Sequence, residues 1–148
     1  MMKNIQLKTE PFDPWDELKA FQQSRFKGKT DIGATAVFVG SMRDFNEGEN
    51  VQTMHLEHYP GMTEKYLKTL IDKAKQNWPI EECLIIHRVG DIQPSEPIVL
   101  TAAWSGHRKE ALEVCRYLIE ELKHNAPFWK KETLNSGEAR WVTTNTAG

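Results

Sequence analysis

The chain has 148 residues, 39% hydrophobic and 27% charged, with 19 Lys and Arg set against 21 Asp and Glu for a formal net charge of -2. That is the length of one domain with enough apolar material for a core, which argues against disorder, and the charge is too evenly balanced for a protein that grips nucleic acid through its phosphates. No apolar run approaches the ~20 residues of a membrane span, and two cysteines, Cys83 and Cys115, are too few for a disulfide framework or a zinc site.

Residues 1–10 carry neither an apolar signal region nor a small-residue cleavage site, so the cytosol is the expected compartment. No repeat or Pro/Gly/Ser-rich linker divides the chain, and a single catalytic domain over residues 1–148 is expected. A short strand is predicted at residues 4–9. Asp13-Pro14 then reads as a helix start, with Asp13 as N-cap, Pro14 in the first turn, and Trp15, Leu18 and Phe21 on the buried side. Residues 33–40 form an apolar run of strand length, and the polar residues 44–50 read as an exposed loop. Residues 51–58 alternate as a strand does, with Met54 and Leu56 on one face and Thr53, His55 and Glu57 on the other.

Pro60-Gly61 turns the chain into an amphipathic helix whose apolar positions are Met62, Tyr66, Leu70, Ile71 and Ala74, ending at Trp78-Pro79. Strands follow at residues 83–89 and 98–104, joined by a loop over 90–97. Ser105 is placed as the N-cap of a long helix over residues 106–124, with Ala111, Leu112, Cys115, Leu118, Ile119 and Leu122 facing the core, and Pro127 forbids its continuation. The remainder reads as a hairpin, 128–132 and 139–142, turning at Asn135-Ser136-Gly137. Strands and helices mix without strict alternation, so the class is α+β.

Three constellations carry chemistry, and all are cationic. Ser105-Gly106-His107-Arg108 opens a helix, where unpaired N–H groups and two basic side chains suit a phosphate or carboxylate. Lys123 and Lys130 bracket the apolar segment Ala126-Pro127-Phe128-Trp129; a lysine held against it loses solvation and becomes usable as a base or nucleophile. Lys123 also has a purely structural reading, as a cation in a helix's last turn. Arg43, after Gly40-Ser41-Met42, is either a surface arginine or a bidentate partner for phosphate. Arg108 and Lys123 lie at opposite ends of one helix, roughly 22 Å apart. One compact anion cannot touch both, so there are two sites, or a symmetric dimer joins the ends of two chains.

Other features are declined. His55, Glu57 and His58 are not a metal set, because strand alternation turns His58 to the opposite face. Cys115 falls on an apolar stripe, Cys83 has no activating partner, and His87 reads as a hydrogen-bonded structural histidine. The five tryptophans are scattered and not interleaved with basic residues, as a base-stacking platform requires.

Leu56-Glu57-His58-Tyr59-Pro60-Gly61-Met62, Ile86-His87-Arg88-Val89-Gly90, Ser105-Gly106-His107-Arg108 and Ala126-Pro127-Phe128-Trp129-Lys130-Lys131-Glu132 together resemble the large, catalytic subunit family of molybdopterin synthase, in order and spacing from about Gly33 to Val142. The resemblance implies an α+β fold of the α/β-hammerhead type, a homodimer within a heterotetramer, and a small ubiquitin-like sulfur carrier ending in a Gly-Gly thiocarboxylate. It further implies transfer of that sulfur to cyclic pyranopterin monophosphate to form the molybdopterin dithiolene, a sulfurtransferase step of molybdenum cofactor biosynthesis that needs no metal or other cofactor. By motif, Lys123 and Lys130 match the family's active-site lysines, and Arg43, His107 and Arg108 match its substrate-anion pocket. Ser41, Met42, Lys131 and Glu132 flank these positions, and Arg140 adds a cation; Ser41 departs from the family, which often carries lysine there. The alternative is a non-catalytic scaffold for a ubiquitin-like partner or a phosphorylated ligand. The two differ in whether the lysines matter for product or only for affinity.

Overall fold

Asp13 caps the first helix as its place before Pro14 predicts, its Oδ1 accepting from the backbone N–H groups of Trp15 and Asp16 at 2.9 and 3.2 Å. The computed structural model describes residues 2–142 apart from Glu47. In chain order the elements are β1 (Ile5–Lys8), α1 (Pro14–Arg25), β2 (Ala34–Ser41), β3 (Phe45–Asn46), β4 (Glu49–His58), α2 (Met62–Asn77), β5 (Ile80–Arg88), β6 (Gly90–Ile92), β7 (Pro97–Ser105), α3 (Arg108–Asn125), β8 (Phe128–Leu134) and β9 (Ala139–Trp141).

Two sheets organise them. The first runs β1-β5-β7-β2, with β1 parallel to β5 and the other pairs antiparallel. Its central strands are apolar on both faces because both are covered. Leu84, Ile86, Leu100, Ala102 and Trp104 pack with Phe12 and Phe21 on the α1 side. Cys83, Ile85, Val99 and Ala103 pack with the stripes of α2 and α3 on the other. The second sheet is antiparallel, β3-β4-β8-β9, with β6 also pairing β4. This is the α+β class that the mixed order of elements predicts.

Several local expectations are corrected. Trp15 is 60% exposed, whereas Phe21, wholly buried and stacked on Trp104, anchors α1 as expected, with Leu18 packed beside it. In α2, Leu70, Ile71 and Ala74 are buried and Tyr66 packs on the core as expected, Thr63 and Leu67 join the stripe, and only Met62 faces outward. In α3, Val114 is buried and Leu112 is 62% exposed. The segments read as loops at 44–50 and 90–97 hold β3, the start of β4, and β6, too short for any periodicity to register. Ser105 ends β7 rather than capping α3: its hydroxyl donates to the Pro79 carbonyl at 3.1 Å, and His107 takes the N-cap position with no side-chain cap bond. The hairpin at the carboxyl end forms as expected, Glu132 opposite Arg140.

This layout places chemistry at both ends of α3. Strand β7 delivers the chain to His107, and α3 then runs back over the sheet to Lys123 beside the second sheet.

Candidate active site

A cavity of about 400 Å³ opens where the last turn of α3 meets β8 and the hairpin, lined by His87, Leu122, Lys123, Phe128, Trp129 and Lys130 among others. The α3 stripe fixes Lys123 next to buried Leu122. Alternation along β8 puts Phe128 and Lys130 on one face and Trp129 and Lys131 on the other. The turn between helix and strand is rigid: Phe128 N–H donates to the Ala126 carbonyl at 2.8 Å, and the Pro127 carbonyl accepts from the Thr63 hydroxyl at 3.1 Å.

The electrostatics follow from that placement. Burial among apolar walls pushes the Lys123 ammonium down to about 8, and the charges of Lys130 and Arg43 push the same way. Lys123 is therefore poised to exchange a proton near neutrality, as the apolar Ala126–Trp129 segment foretold. Arg43, exposed on the link after β2, belongs electrostatically to this lysine end. Arg43, from the link after β2, thus adds its charge to the lysine pair of α3 and β8 without lining their cavity.

His107 and Arg108 do not join it within one chain. They sit at the opposite end of α3, where the helix's first N–H groups receive no side-chain cap. The segment is held by backbone: Gly33 N–H donates to the Ser105 carbonyl at 2.9 Å, and Gly33 lies so close to Gly106 that an added Cβ would overlap the Gly106 carbonyl oxygen.

The flanking candidates take varied positions. Met42 is buried in the core, bonded through its backbone to Ser95 and Glu96. Ser41 is exposed beside Pro97 on the α1 side, away from the lysines. Lys131 lies over the Trp141 ring at 5.7 Å. Glu132 is 5% exposed and braces the hairpin, accepting from Arg140 Nε at 3.2 Å and from Asn46 Nδ2 at 2.9 Å, while Arg140 Nη2 donates to the Asn46 carbonyl at 2.8 Å. Glu132 and Arg140 therefore tie Asn46 of β3 to the hairpin of β8 and β9.

His87 is the cavity residue that sequence reasoning set aside. It is hydrogen bonded, as expected, through Nδ1 to the Arg88 carbonyl at 2.7 Å, yet it also lines the lysine cavity. The signal was present in β5: alternation puts His87 on the face of Cys83 and Ile85, which α2 and α3 cover.

Among the described residues no helix is long and apolar enough to cross a membrane. A family model described as MoaE protein matches residues 7–125. The molybdopterin synthase catalytic subunit of Ralstonia nicotianae is 47% identical over 141 residues, covering 95% of this chain and 77% of that protein. The crystal structure of molybdopterin synthase from Staphylococcus aureus superposes with a TM-score of 0.84 at 30% identity, covering 97% of this chain and 100% of that one. A complex of subunits 1 and 2 of molybdopterin-converting factor from Helicobacter pylori 26695 contains a chain that superposes with a TM-score of 0.79 at 26% identity, covering 95% and 91%.

Proposed function

The chain belongs to the MoaE protein family, and on that premise we propose that it is the catalytic subunit of a molybdopterin synthase, acting as a sulfurtransferase in molybdenum cofactor biosynthesis. The sulfur donor is the thiocarboxylate at the Gly-Gly terminus of a small ubiquitin-like carrier, and the acceptor is cyclic pyranopterin monophosphate. The relative in complex with its second subunit supports a carrier partner. The observation that carries the chemistry is the cavity itself, in which Lys123 is held down to about 8 beside Lys130.

In this reading Lys123 exchanges protons as the thiocarboxylate sulfur attacks the pterin side chain, the opening cyclic phosphate leaving with its oxygen. It does so again as water then cleaves the acyl–sulfur bond, so that sulfur stays on the pterin and the carrier departs as a carboxylate. Lys130 stabilises negative charge that develops in that step. Arg43, His107 and Arg108 hold the substrate's phosphate, with Ser41, Met42, Lys131, Glu132 and Arg140 supporting the segments around it. Because the two ends of α3 are too far apart for one anion, the working site takes His107 and Arg108 from one protomer and Lys123 and Lys130 from its partner. The unit is a homodimer, joined by two carriers in a cytoplasmic heterotetramer.

Reconstitution tests this reading. The purified chain, thiocarboxylated carrier and cyclic pyranopterin monophosphate are expected to yield the dithiolene, whereas Lys123→Ala yields none. No product from the unaltered chain, with a carrier shown to be active on another synthase, would return the protein to the class of scaffolds.

A further inference from the structure

A short link keeps the lysine pair together. Helix α3 ends at Asn125, β8 begins at Phe128, and Ala126-Pro127 alone joins them. The direction in which β8 leaves the helix therefore sets where Lys130 stands against Lys123. Lys130 forms a side-chain hydrogen bond with Lys123 and repels its charge. Paired ammonium groups offer each other no acceptor, so that bond forms only while one amine is neutral. The other charged or titratable groups about Lys123 are Arg43 after β2, His87 of β5 and His124 of α3.

The ring of Pro127 fixes its φ, and the Phe128 N–H donates to the Ala126 carbonyl at 2.8 Å, closing a γ-turn around it. The other end of the same peptide group, the Pro127 carbonyl, accepts from the Thr63 hydroxyl at 3.1 Å. Thr63 is wholly buried in the first turn of α2. Its hydroxyl also accepts from the Tyr59 N–H at 3.0 Å, while the Thr63 N–H donates to the Tyr59 carbonyl at 2.9 Å. Leu67, Leu70, Ile71 and Ala74 seat α2 in the core, so the donor belongs to the body of the fold and not to the link it holds. A hydroxyl that served the start of α2 alone would need only the bond from Tyr59.

We propose that Thr63 is a positioning residue of the lysine site, its hydroxyl holding the peptide after Pro127 so that β8 carries Lys130 against Lys123. The inference rests on the catalytic reading above for its use, but not for its test. Without that bond the link relaxes, the amines draw apart and water reaches Lys123. Each change favours the charged form of Lys123, so it titrates at higher pH.

The experiment is an NMR titration of the free, full-length subunit labelled at lysine, with the Lys123 signal assigned through Lys123→Arg. In Thr63→Val, which keeps the shape and removes the hydroxyl, the Lys123 midpoint is expected to rise by about half a pH unit or more. Thr63→Ser, which keeps the hydroxyl, is expected to hold the unaltered value. Leu70→Ala loosens the same helix without touching the link, and it too is expected to leave the midpoint in place. In the reconstituted reaction kcat of Thr63→Val falls about tenfold or more while KM for the carrier stays put, as expected of a displaced catalytic pair. Thr63→Ala removes the same bond with a smaller side chain and takes over if Thr63→Val does not fold, which the same spectra show. An unchanged Lys123 midpoint in the folded variant would overturn the proposal. So would an equal shift in Leu70→Ala, the mark of general loosening. The titration uses neither carrier nor pterin, so a shifted midpoint without any product would sink the catalytic reading and leave this inference standing.

Discussion

Lys123, in the last turn of α3, and Lys130, on β8, share the wall of one cavity although the apolar segment between them could have carried them apart. Like charge at that range is unfavourable, and the fold keeps it: the charge of Lys130 adds to burial in pushing Lys123 down to about 8. A pair that costs stability and tunes a proton near neutrality has the character of a working site.

Substitution of either lysine is therefore expected to separate activity from stability. Lys123→Ala and Lys130→Ala should each lower kcat by about a hundredfold or more, the scale of lost acid–base or charge stabilisation. Their thermal midpoints should match or exceed that of the unaltered chain, because each relieves repulsion. Turnover assays paired with calorimetry decide it; a fall in activity that tracked a fall in midpoint would make the lysines structural.

The same pair sets a pH dependence of stability. Lys123 is lowered in the folded state from 10.5 to about 8, so between those values the unfolded chain binds more protons. Stability contributed by this group must then rise as pH rises through that window. Lys123→Met should flatten the rise, and Lys130→Met should move its onset to higher pH. His87 acts in the acid range with the same sign: lowered from 6.5 to about 3, it withdraws stability as pH falls below 6.5. His87→Phe should shift acid unfolding to lower pH, as followed by urea titrations across both windows.

Much of this was legible in the sequence, for identifiable reasons. Asp13-Pro14 announced α1 because a cap and a fixed φ are local chemistry, and the alternation of Met54 and Leu56 against His55 and Glu57 set the faces of β4. Residues that needed a partner element were misjudged. Trp15, Met62 and Leu112 are apolar but face outward, since the neighbour each stripe meets is not written in its own helix. The lysine pair was visible as two motifs, yet only the tertiary fold brings His87 of β5 into the lining of their cavity and the charge of Arg43 to bear on Lys123. Glu132 read as a flank of the site until its bond to Arg140 gave it the hairpin to hold.

The separation of His107 and Arg108 from the lysines yields a complementation test. If each working site draws the two ends of α3 from different protomers, Arg108→Ala and Lys123→Ala chains are each inactive alone. Refolded together, their mixed dimers carry one doubly altered site and one intact site. About a quarter of full activity is the expected recovery when chains associate at random in twofold pairs. No recovery, with mixed dimers confirmed by mass spectrometry, would place all the cations of a site in one chain.

Gly33 and Gly106 supply the last prediction, on how the His107 end is built. At Gly33 a methyl group would overlap the Gly106 carbonyl oxygen, which is backbone and has no rotamer by which to yield. At Gly106 the nearest atom to the same methyl group is the Asp31 carbonyl oxygen at 3.8 Å, an ordinary contact. Gly33→Ala is therefore expected to cost about 1–3 kcal/mol of stability by forcing the two segments apart, and to raise KM for the phosphorylated substrate as His107 and Arg108 move with them. Gly106→Ala should stay much closer to the unaltered chain in both respects. Thermal unfolding and substrate titration of the two variants test the geometry directly, because identical additions on facing strands of backbone differ only in what they meet. Equal behaviour would mean that the close approach of Gly33 to Gly106 does not position the anion-binding end of α3.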